Sequence, residues 1–472
     1  MSDSELCFTP ATELAGLIAK KAVSPVEVMS AVLERIDAVE PAVNAFATRT
    51  SETAMEQARA AEAAVTRGDD LGPLHGVPMT IKDLIVTEGV ATERGSFSHR
   101  GTVPDRDAPA VTRLSRAGAI SLGKTTTSEF GWKGVSHSPL TGITSNPWQP
   151  GFNAGASSAG AGAGAAAGYG PLHIGSDGAG SIRMPAHFCG IFGLKPTFGR
   201  IPNWPVPNND QSSHLGPMTR TVADAALMLQ VMAGPHPWDH QCTDSAVPDY
   251  GANLDAGVKG LKIAYSADLG HARVDADVAA LVADAVKNFE SLGCTVEEVT
   301  PTFGPDGPDI VRFMWAAHMG VYANLLDKWE EQMDPGLVAC IRAGFGHPME
   351  TYTAMRGRKL AYVQQVVDFF DEWDLLLTPA VSVAAFPADR LLPEDWPDHE
   401  WDWVSWAEFS YPFNFSGGPA ASVPCGYTEA GLPVGLQIVG PRLEDERVLQ
   451  AAAAFESAHP WAAARPPVYR GD

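Results

Sequence analysis

Several things that would each have named a chemistry are missing from this chain. Six cysteines are scattered over 472 residues without a C-x-x-C pair, so neither a disulfide framework nor a zinc site is indicated. No run of eighteen apolar residues occurs, and no membrane span is expected. The start, Met1-Ser2-Asp3-Ser4-Glu5, lacks the basic flank and apolar core of a secretory leader. Basic residues are outnumbered 56 to 33, a net charge of −23, which argues against nucleic acid or an anionic membrane as partner. There is no GxSxG elbow, and none of the thirteen histidines sits in a catalytic motif. His137, His173, His187 and His214 flank interesting segments but read as hydrogen-bonded structural residues. The expectation is a cytoplasmic enzyme without metal or cofactor, acting on a small molecule.

What is present is a globular pattern, 45% hydrophobic and 19% charged. The first sixty-odd residues read as helices, one opened by the capping box Ser24-Pro25-Val26-Glu27. From Gly76 onward short apolar runs alternate with longer periodic ones. Strands are predicted at 77–81, 119–122, 172–174, 261–265, 295–299, 375–378, 421–423 and 435–439. Helices are predicted at 108–117, 158–167, 222–232 (opened by a second capping box, Thr221 to Asp224), 275–292 and 350–370. That alternation argues an α/β sheet covered by helices. Gly118-Ala119-Ile120-Ser121-Leu122-Gly123-Lys124-Thr125 matches the phosphate-loop pattern, but the context is inverted. A helix precedes it, Gly118 caps that helix, and the supposed loop reads as a buried strand. Nucleotide binding is therefore set aside.

Three small-residue blocks carry the chemistry. Gly175-Ser176-Asp177-Gly178-Ala179-Gly180-Ser181-Ile182-Arg183 leads a run of small residues into one serine. Successive N–H groups there can converge on a developing anion while the serine attacks a carbonyl; a tight turn with a capping serine would carry the same pattern. Asn153-Ala154-Gly155-Ala156-Ser157-Ser158-Ala159-Gly160 holds a serine pair at a helix start, where unpaired N–H groups gather. Gly76-Val77-Pro78-Met79-Thr80-Ile81-Lys82-Asp83 ends an apolar strand in a lysine.

Together these blocks resemble the amidase signature family, and so do Gly190 to Thr197, Gly216 to Thr221, Ser422 to Gly426 and Gly431 to Gln437. The resemblance covers most of the chain. It implies a single large α/β domain over 1–472, with a mixed central sheet covered by helices on both faces. Its parts would be an N-terminal helical segment (1–68), a signature core (69–235) and a C-terminal part completing sheet and pocket (236–472). It also implies a Ser–Ser–Lys triad. Ser181 would be the nucleophile, with Ser157 passing its proton to Lys82. The Ala156–Ser157 bond would be cis and Ser158 supporting. The N–H groups of Gly178, Ala179, Gly180 and Ser181 would form an oxyanion hole, framed by Asp177 and Arg183. A free lysine is neutral only about once in a thousand at pH 7.4, and lowering its pKa by three units removes about 4 kcal/mol of that cost. Burial at the end of an apolar strand supplies such a shift. The alanine at 179, where the family usually has glycine, would be strained if that position needs a positive φ.

The substrate is the weaker reading. Family members range from small-amide hydrolases to the glutaminase subunit of the tRNA-dependent amidotransferase. Here the region around Trp401 to Trp406 and Tyr411 to Phe415 is aromatic. Phe130, Trp132, Trp315 and Trp406 are candidate pocket residues, although packing would use the same side chains. The expected reaction is hydrolysis of aryl or hydrophobic amides, with carbamates or small esters also plausible, by a monomer or homodimer. The glutaminase subunit is the alternative.

Overall fold

Three parallel strands at one end of an eleven-stranded mixed sheet position the residues singled out above. The structure, a computed structural model, describes residues 2–469. In chain order the strands are β1 (Phe46–Arg49), β2 (Pro78–Lys82), β3 (Ile120–Thr125), β4 (Leu172–Asp177), β5 (Phe192–Lys195), β6 (His214–Thr219), β7 (Lys262–Tyr265), β8 (Thr295–Glu298), β9 (Leu375–Pro379), β10 (Ala420–Tyr427) and β11 (Pro433–Val439). Their spatial order is β1-β3-β2-β4-β6-β5-β10-β11-β9-β7-β8. β2 runs parallel to β3 and β4, and β7 runs parallel to β8 and β9. An antiparallel block joins the two groups.

Alternate side chains sort onto two apolar cores, as the pleat requires. Ile263, Leu375 and Leu377 enter one core; Ala264 and Leu376, their neighbours along β7 and β9, enter the other. Both faces are thus covered, and the chain is a single α/β domain. No helix among the described residues is long and apolar enough to cross a membrane.

The expected strands and helices are found with ends shifted by a few residues. Three strands were not expected. β1 interrupts the N-terminal helical segment and pairs antiparallel with β3 at the sheet edge. β5 and β6 carry Gly193, Gly216 and Pro217 inside the sheet, residues that argue locally against a central strand. The Ser24 capping box is formed, but the Thr221 one is only half formed. Thr221 accepts from the Asp224 amide at 3.2 Å, while the Asp224 carboxylate turns to the amides of Ala11 and Thr12 at 2.9 and 3.0 Å. It therefore caps the helix Ala11–Ala19 across the fold. The phosphate-loop lookalike is β3 itself. Gly118 has φ +94° after the helix Pro109–Arg116, and Lys124 is fully buried.

Candidate active site

Register brings Lys82 to the serines. β2 and β4 pair with Thr80 opposite His173 and Ile81 opposite Ile174, so their C-terminal ends emerge side by side. The helix Ala159–Ala167 follows the serine pair and is buried along its whole length. It needs glycine to come so close: a Cβ on Gly160 would strike the Ala45 carbonyl oxygen, and one on Gly162 would lie 2.8 Å from Pro185. Lys82 Nζ then lies 2.7 Å from Ser157 Oγ, 3.0 Å from Ser158 Oγ and 2.9 Å from Ser176 Oγ. The Ala156–Ser157 peptide bond is cis. Lys82 is wholly buried, and this desolvation holds its amine well below the ordinary lysine value, with the Asp177 charge opposing.

The loop after β4 is held by one buried ion pair. Arg183 Nε and Nη2 donate to the two Asp177 carboxylate oxygens at 3.0 and 2.9 Å. The same guanidinium reaches the Ser410 carbonyl (3.0 Å), Gln437 (2.8 Å) and Asn414 (2.6 Å). Burial alone would raise the Asp177 carboxyl; Arg183 and Asn414 outweigh it and hold it well below the usual carboxylate range. Asp177 also accepts the Gly180 amide at 2.6 Å. That donor is spent on the frame, whereas the described residues offer no acceptor to the amides of Gly178, Ala179 and Ser181. The left-handed conformation falls on Gly180 (φ +108°) and not on Ala179, so the alanine carries no backbone strain there.

Ser157, Ser176, Gly178, Ala179 and Ser181 line one cavity of about 310 Å³. Aromatic side chains line it as well: Phe130 stacks on Tyr322 with centroids 4.2 Å apart, and Trp315 is a third lining ring. Of the four expected pocket residues, Phe130 and Trp315 are there; Trp132 and Trp406 are not. Trp132 is buried and supports the wall from behind, its carbonyl accepting from Trp315 Nε1 at 3.0 Å. Trp406 packs between Phe188 and Phe386 and donates to the Leu391 carbonyl. Segment 203–213 supplies much of the remaining lining. Lys359 fastens it by donating to the Asp210 carbonyl (2.8 Å) and carboxylate (3.0 Å), and Arg356 Nε adds a bond at 3.1 Å. Ser176, Arg94 and Tyr322 were not foreseen. Ser176 had a signal, a hydroxyl one residue before Asp177 in the nucleophile block; Tyr322 had none beyond being aromatic.

The four flanking histidines do not reach the serines. His173 bonds Thr80 and the Gly170 carbonyl, and burial pushes it down to about 3. His187 is held by Gly435 and the Val383 carbonyl, and burial pushes it down to about 4. His214 faces the carbonyls of Asp177 and Ser212, and His137 lies 3.8 Å from Asp334.

A model of the amidase family matches residues 27–449. The chain belongs to this family. An acylamidase of Rhodococcus erythropolis is 39% identical, the match covering 99% of this chain and 98% of that one. The glutamyl-tRNA(Gln) amidotransferase A-chain of Moorella thermoacetica is 37% identical over 98% and 99%. Among solved structures, a bacterial aryl acylamidase of the amidase signature enzymes superposes with a TM-score of 0.90 at 29% identity, covering 96% of this amidase and 97% of that chain. This amidase is an amide-hydrolysing enzyme with the amidase signature fold.

Proposed function

We propose that this amidase hydrolyses aryl or hydrophobic carboxylic amides through an acyl-enzyme on Ser181, with Ser157 and Lys82 as proton relay. The observation that carries the reading is the buried Lys82 amine 2.7 Å from Ser157 Oγ, in the same cavity wall as Ser181. Burial holds this amine well below the ordinary lysine value, toward the neutral form that accepts a proton. Ser181 Oγ attacks the amide carbon as its proton passes through Ser157 toward Lys82. The negative oxygen that forms is met by the amides of Gly178, Ala179 and Ser181, each donor of this kind being worth about 10²–10³ in rate. The relay returns the proton to the leaving amine, and water enters by the same route to release the acid. Ser181 hydroxyl makes no hydrogen bond among the described residues, as befits a group whose alignment completes on substrate binding.

The acylamidase and aryl acylamidase relatives support the amide class, and the Phe130, Tyr322 and Trp315 wall suits a ring. Carbamates and small esters present their carbonyls to the same groups. The glutaminase subunit is the second reading, favoured by the 37% identity to the amidotransferase chain; the aromatic wall counts against a free amino acid. The test is turnover by the isolated protein of anilides, primary amides, glutamine and carbamates. Anilide hydrolysis that Ser181→Ala lowers by more than about 10⁴-fold is expected. Release of ammonia from glutamine alone, with no anilide turnover, would overturn it.

A further inference from the structure

The cavity has a third kind of surface besides the hydroxyl-lined end and the aromatic wall. Arg94 lines it, and among the described residues no aspartate or glutamate does. Of the other titratable groups lining it, burial pushes His318 down to about 4 and raises the Tyr322 phenol, so Arg94 is the cationic side chain of this wall. Among the described residues its guanidinium makes no hydrogen bond or ion pair, in a chain where acids outnumber bases 56 to 33. Its backbone is fixed, in contrast. Arg94 sits in the left-handed region at φ +58°, its amide donates to the Asp83 carbonyl at 3.2 Å, and its carbonyl accepts from the Phe130 amide at 2.9 Å. Next to Phe130, a Cβ on Gly131 would lie 3.0 Å from Ser157 Oγ, so the pinned arginine is two short links from the proton relay. Its charge reaches the cavity ring: burial raises the Tyr322 phenol and the Arg94 charge opposes that rise.

We infer that Arg94 is a specificity-determining residue that pairs with a carboxylate on the substrate, so that the preferred amides are anionic ones, with a ring against Phe130 and Tyr322 and the carboxylate beyond it. The inference rests on the amide-hydrolase reading above. A guanidinium presents a planar fork that takes a carboxylate bidentately, and a cavity of about 310 Å³ holds one ring with an amide and a carboxylate. No step of the chemistry passes through Arg94, which acts on selection between substrates.

The test compares 4-acetamidobenzoate with neutral acetanilide. Binding of both is measured calorimetrically to Ser181→Ala protein, and kcat/KM for both on the active enzyme, with Arg94→Ala, Arg94→Lys and Arg94→Glu introduced in each. Arg94→Ala is expected to lower the carboxylate-over-neutral ratio at least tenfold in both measurements, mainly through KM. Arg94→Lys should restore part of the ratio, and Arg94→Glu should turn preference toward a trimethylammonium-bearing anilide. An unchanged ratio in Arg94→Ala overturns the inference. Should no amide be turned over at all, the function reading fails, while the binding ratio in Ser181→Ala protein still decides the role of Arg94.

Discussion

Lys82 and Lys124 stand on adjacent parallel strands, Lys124 opposite Ile81 in the pairing of β2 with β3, and both are fully buried. Their surroundings differ in one respect. Lys124 Nζ lies 3.6 Å from the Asp83 carboxylate and donates to the Ile85 carbonyl and Thr92 Oγ1 at 2.7 and 2.6 Å. Lys82 has hydroxyls around it and Asp177 only at a distance. Burial pushes Lys124 down to about 8 against Asp83, whereas it holds Lys82 well below the ordinary value. A third buried lysine, Lys195, is also held well below by burial, but its amine meets the carbonyls of Pro196 and Gly418. On the proposed relay, a basic amine needs two conditions: no adjacent carboxylate, and a hydroxyl within reach to deprotonate.

Changing each lysine separates those conditions. Lys82→Met is expected to lower kcat/KM on an anilide by about 10²–10⁴-fold and to remove the acid limb of its pH profile. That limb lies below the ordinary lysine value of 10.5, since the rate rises as the ammonium form empties. The same variant should unfold at higher temperature near neutral pH. The folded state binds the Lys82 proton less tightly than the unfolded chain does, so the wild type is less stable by that difference until the pH nears 10.5. A pH profile unchanged in Lys82→Met would sink the relay. Next in size, Ser176→Ala should cost about tenfold in rate and move the acid limb, because one of the hydroxyls facing the amine is lost; kinetics over pH check it. Lys124→Met should leave kcat within about threefold while lowering stability by about 3 kcal/mol, the usual cost of stranding one member of a buried pair. Its chemical melts should also lack a component of the wild type. Between about 8 and 10.5 the unfolded chain holds a proton on Lys124 that the folded one has shed, so stability rises with pH there. A large kcat loss in Lys124→Met would erase the contrast between the two lysines.

How much of this was legible follows the same division between local and distant causes. The strands around Lys82, Ser157 and Ser181 show themselves because each sits in a short block of small residues whose type is dictated on the spot. Gly160 cannot be larger without striking the Ala45 carbonyl, and such demands mark the sequence. The cavity wall is different. Arg94, Phe130, Trp315 and Tyr322 come from separate segments, and nothing local distinguishes Trp315, which lines the cavity, from Trp132, which props it from behind. The Gly180 amide likewise looked free until the fold turned Asp177 onto it. β6 was hidden because Pro217 argues against a central strand, yet it pairs with Ile174 inside the sheet.

Arg183 ties the loop before it to Ser410, Asn414 and Gln437, more than two hundred positions downstream. A chain emerging from the ribosome thus displays its lysine and both serines long before the parts that fasten them exist. Nascent protein shorter than this point holds the reactive groups without their frame, and release of a truncated product ending ahead of Asn414 should yield material inert toward any amide.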